Sequence, residues 1–221
     1  MGGRYLRELN DQWTLILRAD IGGFGVGSEF VWNVSGLVDY QPWKHISIIG
    51  GYRALGECLL VEIFFRNAVD LGCGTGLSGL EFLKITVRLS GVDLSPLMVD
   101  KARQKNIYDE LHVLDIRKFL METRELYDLF IAIDVFVYLG DLRDIFHAVR
   151  KRALSGAIFL FSTESCEDGR YSLQETGSYA HNRHYIGALA KGNNFELVRC
   201  EETRISKEGG NGSWGIFLYC G

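Results

Sequence analysis

The sequence lacks the paired cysteines that hold a metal ion or a redox centre. Its five cysteines are widely spaced and include no C-x-x-C pair: Cys58, Cys73, Cys166, Cys200 and Cys220. An odd number of separated cysteines is typical of reduced thiols in a cytosolic protein, and it disfavours a disulfide framework or a zinc site.

Signals for secretion and membrane insertion are also missing. A signal peptide has a basic region, an apolar region and small residues at a cleavage site, and the N-terminus shows no such succession. No apolar run approaches the roughly 18 residues of a membrane-spanning helix. We therefore expect a cytoplasmic protein with no membrane partner.

The sequence has no excess of positive charge. It contains 24 Lys and Arg against 28 Asp and Glu, which gives a formal net charge of -4. A chain of this charge has no general field that attracts nucleic acid. The densest basic stretch, HAVRKRAL at 147–154, has the composition of a helix C-terminus, where the helix dipole favours Lys and Arg. No nucleic-acid partner is expected.

What the sequence does contain, from residue 67 onward, is a regular alternation of strand-like and helix-like segments. Short apolar runs such as NAVDLG and GAIFLFSTE alternate with amphipathic segments such as PLMVDKARQK. Continuous apolar strands are typical of a parallel sheet covered on both faces. The alternation predicts an α/β, doubly wound sheet of the Rossmann-like kind. Two strand-like segments near the end, FELVRCEETRI and SWGIFLYCG, succeed each other without a helix and predict an antiparallel hairpin.

Residues 1–55 have a different pattern. The chain of 221 residues is long enough for one α/β domain with an appendage. The stretch 14–55 alternates apolar and polar residues, which predicts two or three antiparallel strands and resembles strands of bacterial outer-membrane β-barrels. Because a closed barrel needs about eight strands, we interpret this segment as a fusion, a mis-joined reading frame or an accidental resemblance. The predicted division is an atypical N-terminal segment, 1–55, and a domain of residues 56–221.

Two glycine-rich stretches differ in the segments that flank them. AVDLGCGTGLSG, at 68–79, lies between a strand-like and a helix-like segment, whereas ADIGGFGVGS, at 19–28, precedes the alternating EFVWNV. Glycines between a strand and a helix let a ligand contact the main chain and the helix N–H groups. The first stretch therefore predicts a cofactor loop, and the second predicts a strand kink or a hairpin turn.

The glycine spacing distinguishes two classes of cofactor. Gly72, Gly74 and Gly76 form G-x-G-x-G after Asp70, whereas a dinucleotide site has G-x-G-x-x-G. This spacing disfavours an NAD-dependent oxidoreductase and resembles motif I of the class I S-adenosylmethionine-dependent methyltransferases. The glycine motif is one of five motifs by which residues 67–220 resemble bacterial predicted methyltransferases that are often fused to tetratricopeptide repeats. The other four are GVDLSPLMVDKA, YDELHVLDI, YDLFIAIDVFVYLGDL and YAHNRHYI. No helical repeats occur here.

The resemblance implies S-adenosylmethionine as cofactor, a seven-stranded sheet whose terminal hairpin reverses the last strand, and cofactor-binding roles at strand ends. Asp70 would orient the methionine end of the cofactor, or else fix the glycine loop through backbone N–H groups. Asp93 would bind the ribose hydroxyls, because an acid has little structural reason to stand there. Asp115 would accept a hydrogen bond from the adenine amine, or else cap the next helix. Leu94 and Ile116 would sandwich the adenine, or belong to the core.

The acceptor side is expected after the fourth strand of the domain. Asp134 interrupts an apolar run there and would contribute to the cofactor site, hold the acceptor or cap the loop. Phe136 and Tyr138 would form a wall beside the methyl group or pack in the core. His181 would serve as a general base for a hydroxyl or amine acceptor, or else cap a neighbouring element or face the solvent. With His184 it offers too few ligands for a metal ion, so no metal is expected.

The function implied is methyl transfer from S-adenosylmethionine to a small-molecule O, N or C nucleophile. Because the sulfonium methyl group is already activated, alignment and exclusion of water are the main tasks, and a dedicated catalytic residue is not required. Tyr52 and Arg53 would be a remnant of the helices that usually cover the cofactor in these enzymes, but the segment before them does not match. A second interpretation therefore stays open, namely a non-catalytic cofactor-binding module or a defective fusion.

Overall fold

The computed structural model describes residues 2–10, 13–22, 31–43, 46–54, 65–203 and 213–220. The contacts between Cα atoms divide the chain into two compact units, Met1–Phe64 and Phe65–Gly221. None of the helices in the described ranges is long and apolar enough to cross a membrane.

The N-terminal unit contains one antiparallel sheet. Its strands are β1 Gly2–Asn10, β2 Trp13–Gly22, β3 Val31–Trp43 and β4 Ile46–Ala54, and each pairs with the next along the chain. The two or three antiparallel strands expected in residues 14–55 are confirmed as β2, β3 and β4, and β1 lies before that stretch. Most of the turn predicted at 19–28 lies outside the described residues; Gly22 of β2 pairs with Val31 of β3.

The second unit is built on a sheet with a seven-stranded main part. Its strands are β5 Phe65–Leu71, β6 Thr86–Asp93, β7 Glu110–Val113, β8 Tyr127–Ala132, β9 Ala153–Ser165, β12 Phe195–Thr203 and β13 Ser213–Cys220. They lie in the order β7-β6-β5-β8-β9-β13-β12. Strand β13 is antiparallel to both of its neighbours, whereas β5 to β9 run parallel to one another. The predicted doubly wound sheet with an antiparallel C-terminal hairpin is confirmed.

Helices connect the parallel strands. They are α1 Leu77–Phe82, α2 Pro96–Arg103, α3 Ile116–Glu122, α4 Arg143–Arg152 and, before β12, α5 Arg183–Gly192. The sequence explains where two of them begin. Pro96 occupies the first turn of α2, where its missing N–H costs nothing. The Asp115 side chain accepts hydrogen bonds from two N–H groups at the start of α3.

One part of the sheet has no counterpart in the sequence-based prediction. Strands β10 Tyr171–Leu173 and β11 Tyr179–His181 form a short hairpin, and β11 pairs in parallel with the end of β9. Three-residue strands are too short to show a periodicity of two. Strand β11 is placed by its pairing with β9, and β10 by its pairing with β11.

Phenylalanine rings fill the core between the sheet and its helices. The ring of Phe159 on β9 has its centroid between 4.9 and 6.2 Å from those of five other rings, which belong to Phe130, Phe136, Phe146, Phe161 and Phe195. All six side chains are buried. Phe136, which was expected either beside the methyl group or in the core, therefore lies in the core.

The central position of Phe159 predicts a large loss of stability on truncation. Phe159→Ala removes contacts with five rings and leaves a cavity, so the free energy of unfolding should fall by about 3–5 kcal/mol. Leu173→Ala, at a side chain that is 62% exposed, is the control and should change it by less than about 0.5 kcal/mol. Urea unfolding measures both. Equal stabilities of the two variants would contradict the assignment of this core.

Candidate active site

The glycine loop between β5 and α1 turns sharply at its first two glycines. Gly72 and Gly74 have φ angles of +77° and +53°, a region that glycine adopts readily and other residues rarely adopt. A Cβ atom on Gly72 would lie 2.1 Å from Cγ2 of Val135, whereas one on Gly74 would meet nothing within 4 Å. The main chain at Gly74 is thus open to a ligand, while Gly72 permits close packing against the loop after β8.

The third glycine of the motif faces another part of the protein. Gly76 has a φ angle of +80° and directly precedes α1, and a Cβ atom there would lie 3.0 Å from the ring of Tyr108. The same ring leaves no room for a side chain on Gly79 or Gly91. Three glycines therefore make space for Tyr108. The sequence pattern contained this tyrosine, at the start of YDELHVLDI, without indicating its role.

A cavity of about 530 Å³ lies beside the glycine loop. Its walls come from segments after β5, β6, β7 and β8, at the carboxyl ends of adjacent parallel strands. The strand order reverses around β5 here, which is where open α/β sheets bind ligands. The volume suits a small molecule. Among the residues predicted from the sequence, those that line the cavity are Gly72, Gly74, Asp93, Leu94, Asp115, Ile116, Asp134 and Tyr138.

The Asp93 carboxylate forms hydrogen bonds with two segments of the cavity wall. Its Oδ2 accepts a hydrogen bond from the N–H of Gly74 at 2.9 Å, and its Oδ1 accepts one from the N–H of Ser95 at 2.8 Å. The expectation that an acid has little structural reason to stand here is wrong, because this carboxylate fixes the glycine loop to the start of α2. Each carboxylate oxygen keeps further acceptor capacity for a ligand.

Asp115 combines a structural role with a position on the cavity. Its Oδ1 accepts hydrogen bonds from the N–H groups of Arg117 at 2.9 Å and Lys118 at 3.2 Å, so it caps α3. Partial burial acts to raise the pKa of Asp115, but the Arg117 guanidinium and the two N–H donors outweigh it and hold that pKa below its usual range. Leu94, 71% exposed, and Ile116, which is buried, lie on the same cavity.

Asp70 lies behind the glycine loop and is absent from the cavity wall. Its Oδ2 accepts hydrogen bonds from the hydroxyls of Ser78 and Tyr108, both at 2.7 Å. Its Oδ1 is buried and has no partner among the described residues. Neither expected contact, with loop N–H groups or with the cavity, is therefore present. Burial raises the pKa of Asp70 to about 6, although the two hydroxyl donors act to lower it.

Asp134 comes after β8 in an unusual backbone conformation. Its φ angle is +56°, in the left-handed region. The N–H of Asp134 donates to Oγ of Ser162 at 2.8 Å, and the Ser162 hydroxyl donates to Oδ1 of Asp134 at 3.3 Å. Sequence reasoning missed Ser162, and its only signal was a polar residue within the apolar strand segment GAIFLFSTE. Tyr138, 77% exposed, lies on the same side of the cavity.

His181 lies on β11, and the cavity wall does not include it. Its Nε2 is 3.0 Å from the carbonyl oxygen of Gly140, so this nitrogen donates, and Nδ1 accepts from the hydroxyl of Thr163. Burial lowers the pKa of His181. These contacts disagree with the expected role of His181 as a general base, because both ring nitrogens are engaged in the protein. Its observed role is to hold the loop between Tyr138 and α4.

Known proteins resemble this chain in sequence. A family model described as a methyltransferase domain matches residues 69–159. Nodulation protein S of Rhizobium tropici is 31% identical over 115 residues, which make up 49% of this chain and 48% of that protein. The chain thus spans about half the length of this curated relative.

Solved structures share the fold at low sequence identity. The N-methyltransferase NodS from Bradyrhizobium japonicum WM9, in complex with S-adenosyl-L-homocysteine, is 20% identical with a TM-score of 0.60, and the match covers 71% of this chain and 79% of NodS. The magnesium protoporphyrin IX methyltransferase ChlM from Synechocystis PCC 6803, with bound S-adenosylmethionine, is 18% identical with a TM-score of 0.56, and the match covers 72% and 71%. The fold is that of the class I S-adenosylmethionine-dependent methyltransferases.

The environment of Asp70 predicts a dependence of stability on pH. The pKa of this carboxyl is about 6 in the folded protein, against 3.8 as a reference value for the unfolded chain. Its stabilising contribution is therefore complete below about pH 4 and is lost as the pH rises through about 6, by about 3 kcal/mol in all. Asp70→Asn keeps an acceptor for the two hydroxyls and has no proton to lose. The variant should gain about 3 kcal/mol relative to the original protein between pH 4 and pH 7.

Urea unfolding over that pH range measures the difference between the two proteins. Ser78→Ala is the matched variant, since removing a donor to Asp70 should raise its folded pKa further, so that the loss of stability becomes larger and extends to higher pH. A difference between Asp70→Asn and the original protein that stays constant with pH would contradict the assignment.

Proposed function

We propose that this chain binds S-adenosylmethionine in the cavity beside the glycine loop and transfers its methyl group to a small-molecule O, N or C nucleophile. The observation that carries the proposal is the open space at Gly74 next to the Asp93 carboxylate. This space lies at the carboxyl ends of β5 and β6, in a fold whose solved relatives include proteins with the cofactor or its product bound.

The residues around the cavity fit this cofactor. Asp93 would accept hydrogen bonds from the ribose hydroxyls, and Asp115 would accept one from the adenine amine. The apolar side chains of Leu94 and Ile116 would lie against the two faces of the adenine ring. Gly74, which has no side chain, leaves room for the amino-acid end of the cofactor against the main chain.

The charge of the cavity supports the same ligand. Three aspartates contribute to the wall, and no Lys, Arg or His does so among the described residues. A negatively charged wall favours a ligand with net positive charge. S-adenosylmethionine carries a sulfonium and an ammonium group against a single carboxylate, so its net charge matches.

The bound cofactor supplies an activated methyl group on a sulfonium centre. The protein then has to hold an acceptor in line with that group and keep water out. Val135, Tyr138 and Leu139 form the cavity wall after β8 and would shield this position. Alignment and shielding themselves require no general base.

The finer predictions from the sequence remain predictions. They are the similarity to methyltransferases fused to tetratricopeptide repeats, a cytoplasmic location and a separate origin for residues 1–55.

The alternative function, a non-catalytic cofactor-binding module, would bind the cofactor and transfer no methyl group. Mass spectrometry of a metabolite extract incubated with labelled S-adenosylmethionine separates these two functions, because only an enzyme would produce labelled acceptors.

Calorimetry tests the cofactor site directly. S-adenosylmethionine and S-adenosylhomocysteine should bind to the folded protein with one site per chain. Asp93→Asn replaces one carboxylate oxygen, which accepts from a backbone N–H, with an NH2 group that donates and cannot accept, so affinity for both should fall by at least about tenfold. Asp100→Asn, at an exposed residue of α2 that is absent from the cavity wall, should leave affinity within about twofold.

Circular dichroism during thermal unfolding serves to confirm that both variants are folded. Failure of the original protein to bind either compound would refute the proposed function. Fluorescence titration with NADH tests the remaining rival, and binding of NADH in place of S-adenosylhomocysteine would favour an oxidoreductase.

A further inference from the structure

We infer that the methyl acceptor is an amine, held by the Asp134 carboxylate beside the ring of Tyr138. This inference rests on the proposed function and narrows its substrate class. It depends on which carboxylates of the cavity have donors within the protein. It also depends on the side chain that lines the wall together with the least compensated carboxylate.

Two of the three cavity carboxylates have strong donors within the protein. Asp93 accepts hydrogen bonds from N–H groups in the segments after β5 and β6. Asp115 accepts hydrogen bonds from two N–H groups at the start of α3 and forms an ion pair with Arg117. These donors offset much of the negative charge that each carboxylate presents to a ligand.

Asp134 differs from both in its partners. Its carboxylate accepts one hydrogen bond, from the Ser162 hydroxyl at 3.3 Å, and has no ion pair within the described ranges. Neutral hydroxyl donors at that distance compensate a charge weakly compared with N–H donors at helix starts or a guanidinium. Acceptor capacity of this carboxylate is therefore available to a molecule in the cavity.

The carboxylate is also held in place. The N–H of Asp134 donates to Oγ of Ser162, whose side chain is buried on β9. This hydrogen bond fixes the left-handed backbone conformation after β8. The position of Asp134 at the cavity is thus determined by a contact with a core strand, and a bound group would not have to order a free loop.

The neighbouring wall suits a positively charged group. Tyr138, 77% exposed, lines the same wall, and aromatic faces attract ammonium groups. An anionic acceptor would instead meet three carboxylates, with no Lys, Arg or His lining the described part of the cavity to offset them. Asp134 and Tyr138 together therefore favour an ammonium group over a carboxylate or phosphate.

Transfer to this acceptor needs one proton transfer. An ammonium nitrogen has no lone pair, so one proton first leaves it by way of the Asp134 carboxylate to water. The freed lone pair then forms the bond to the methyl carbon, while the carbon–sulfur bond breaks and its electron pair stays on sulfur. The products are a methylated ammonium group and a neutral thioether.

Three small probes with the same ring test this inference. Benzylamine, benzyl alcohol and benzoate are titrated by calorimetry into protein saturated with S-adenosylhomocysteine. We expect benzylamine to bind at least about tenfold more tightly than either of the others. Asp134→Asn should reduce that preference to within about twofold. Asp144→Asn removes the same charge from an exposed position on α4 that does not line the cavity, and it should keep the full preference.

Each other outcome overturns the inference. These outcomes are binding of benzoate or benzyl alcohol as tight as that of benzylamine, failure of all three to bind, and a preference that survives in Asp134→Asn. Weaker binding of S-adenosylhomocysteine in Asp134→Asn, with the amine preference intact, would assign the carboxylate to the cofactor. If the original protein does not bind S-adenosylhomocysteine, the proposed function fails, which calorimetry without the probes establishes separately.

Discussion

Two backbone N–H groups, those of Gly74 and Ser95, donate to the two oxygens of a single carboxylate, Asp93, and the cavity depends on this pair of hydrogen bonds. Strands β5 and β6 are adjacent and parallel, so the segments after them emerge at the same edge of the sheet. The N–H of Gly72 adds a third connection, to the carbonyl of Val92 on β6 at 2.7 Å. Backbone donors in this tight loop are thereby satisfied without a side chain entering the open space at Gly74.

The same loop separates two carboxyl groups with different environments. Asp93, on the cavity side, accepts hydrogen bonds from two backbone N–H groups. Asp70, on the inner side, is buried with two hydroxyl donors, and burial raises its pKa to about 6. Tyr108 supplies one of those hydroxyls and fits against glycines of α1 and β6. The glycines of this region thus serve two purposes, which are open space for a ligand and close packing behind the loop.

The sequence predicted the parts of the fold that depend on local pattern. Apolar runs, amphipathic segments, Pro96 and the capping side chain of Asp115 each act over a few residues, and the structure agrees with them. The contacts that escaped prediction join distant positions. Ser162 contacts Asp134 across 28 residues and Tyr108 contacts Asp70 across 38, and no spacing rule relates such pairs. His181 was expected near the acceptor because it comes after β9, but its pairing on β11 turns both ring nitrogens toward protein groups.

A crystal structure of the protein with S-adenosylhomocysteine tests the central claim most directly. We predict that both ribose hydroxyls lie within about 3.2 Å of the Asp93 carboxylate oxygens. The adenine ring should lie between Leu94 and Ile116, and the homocysteine part should pass over Gly74. A ligand bound elsewhere, or bound in the cavity with its ribose away from Asp93, would contradict this account.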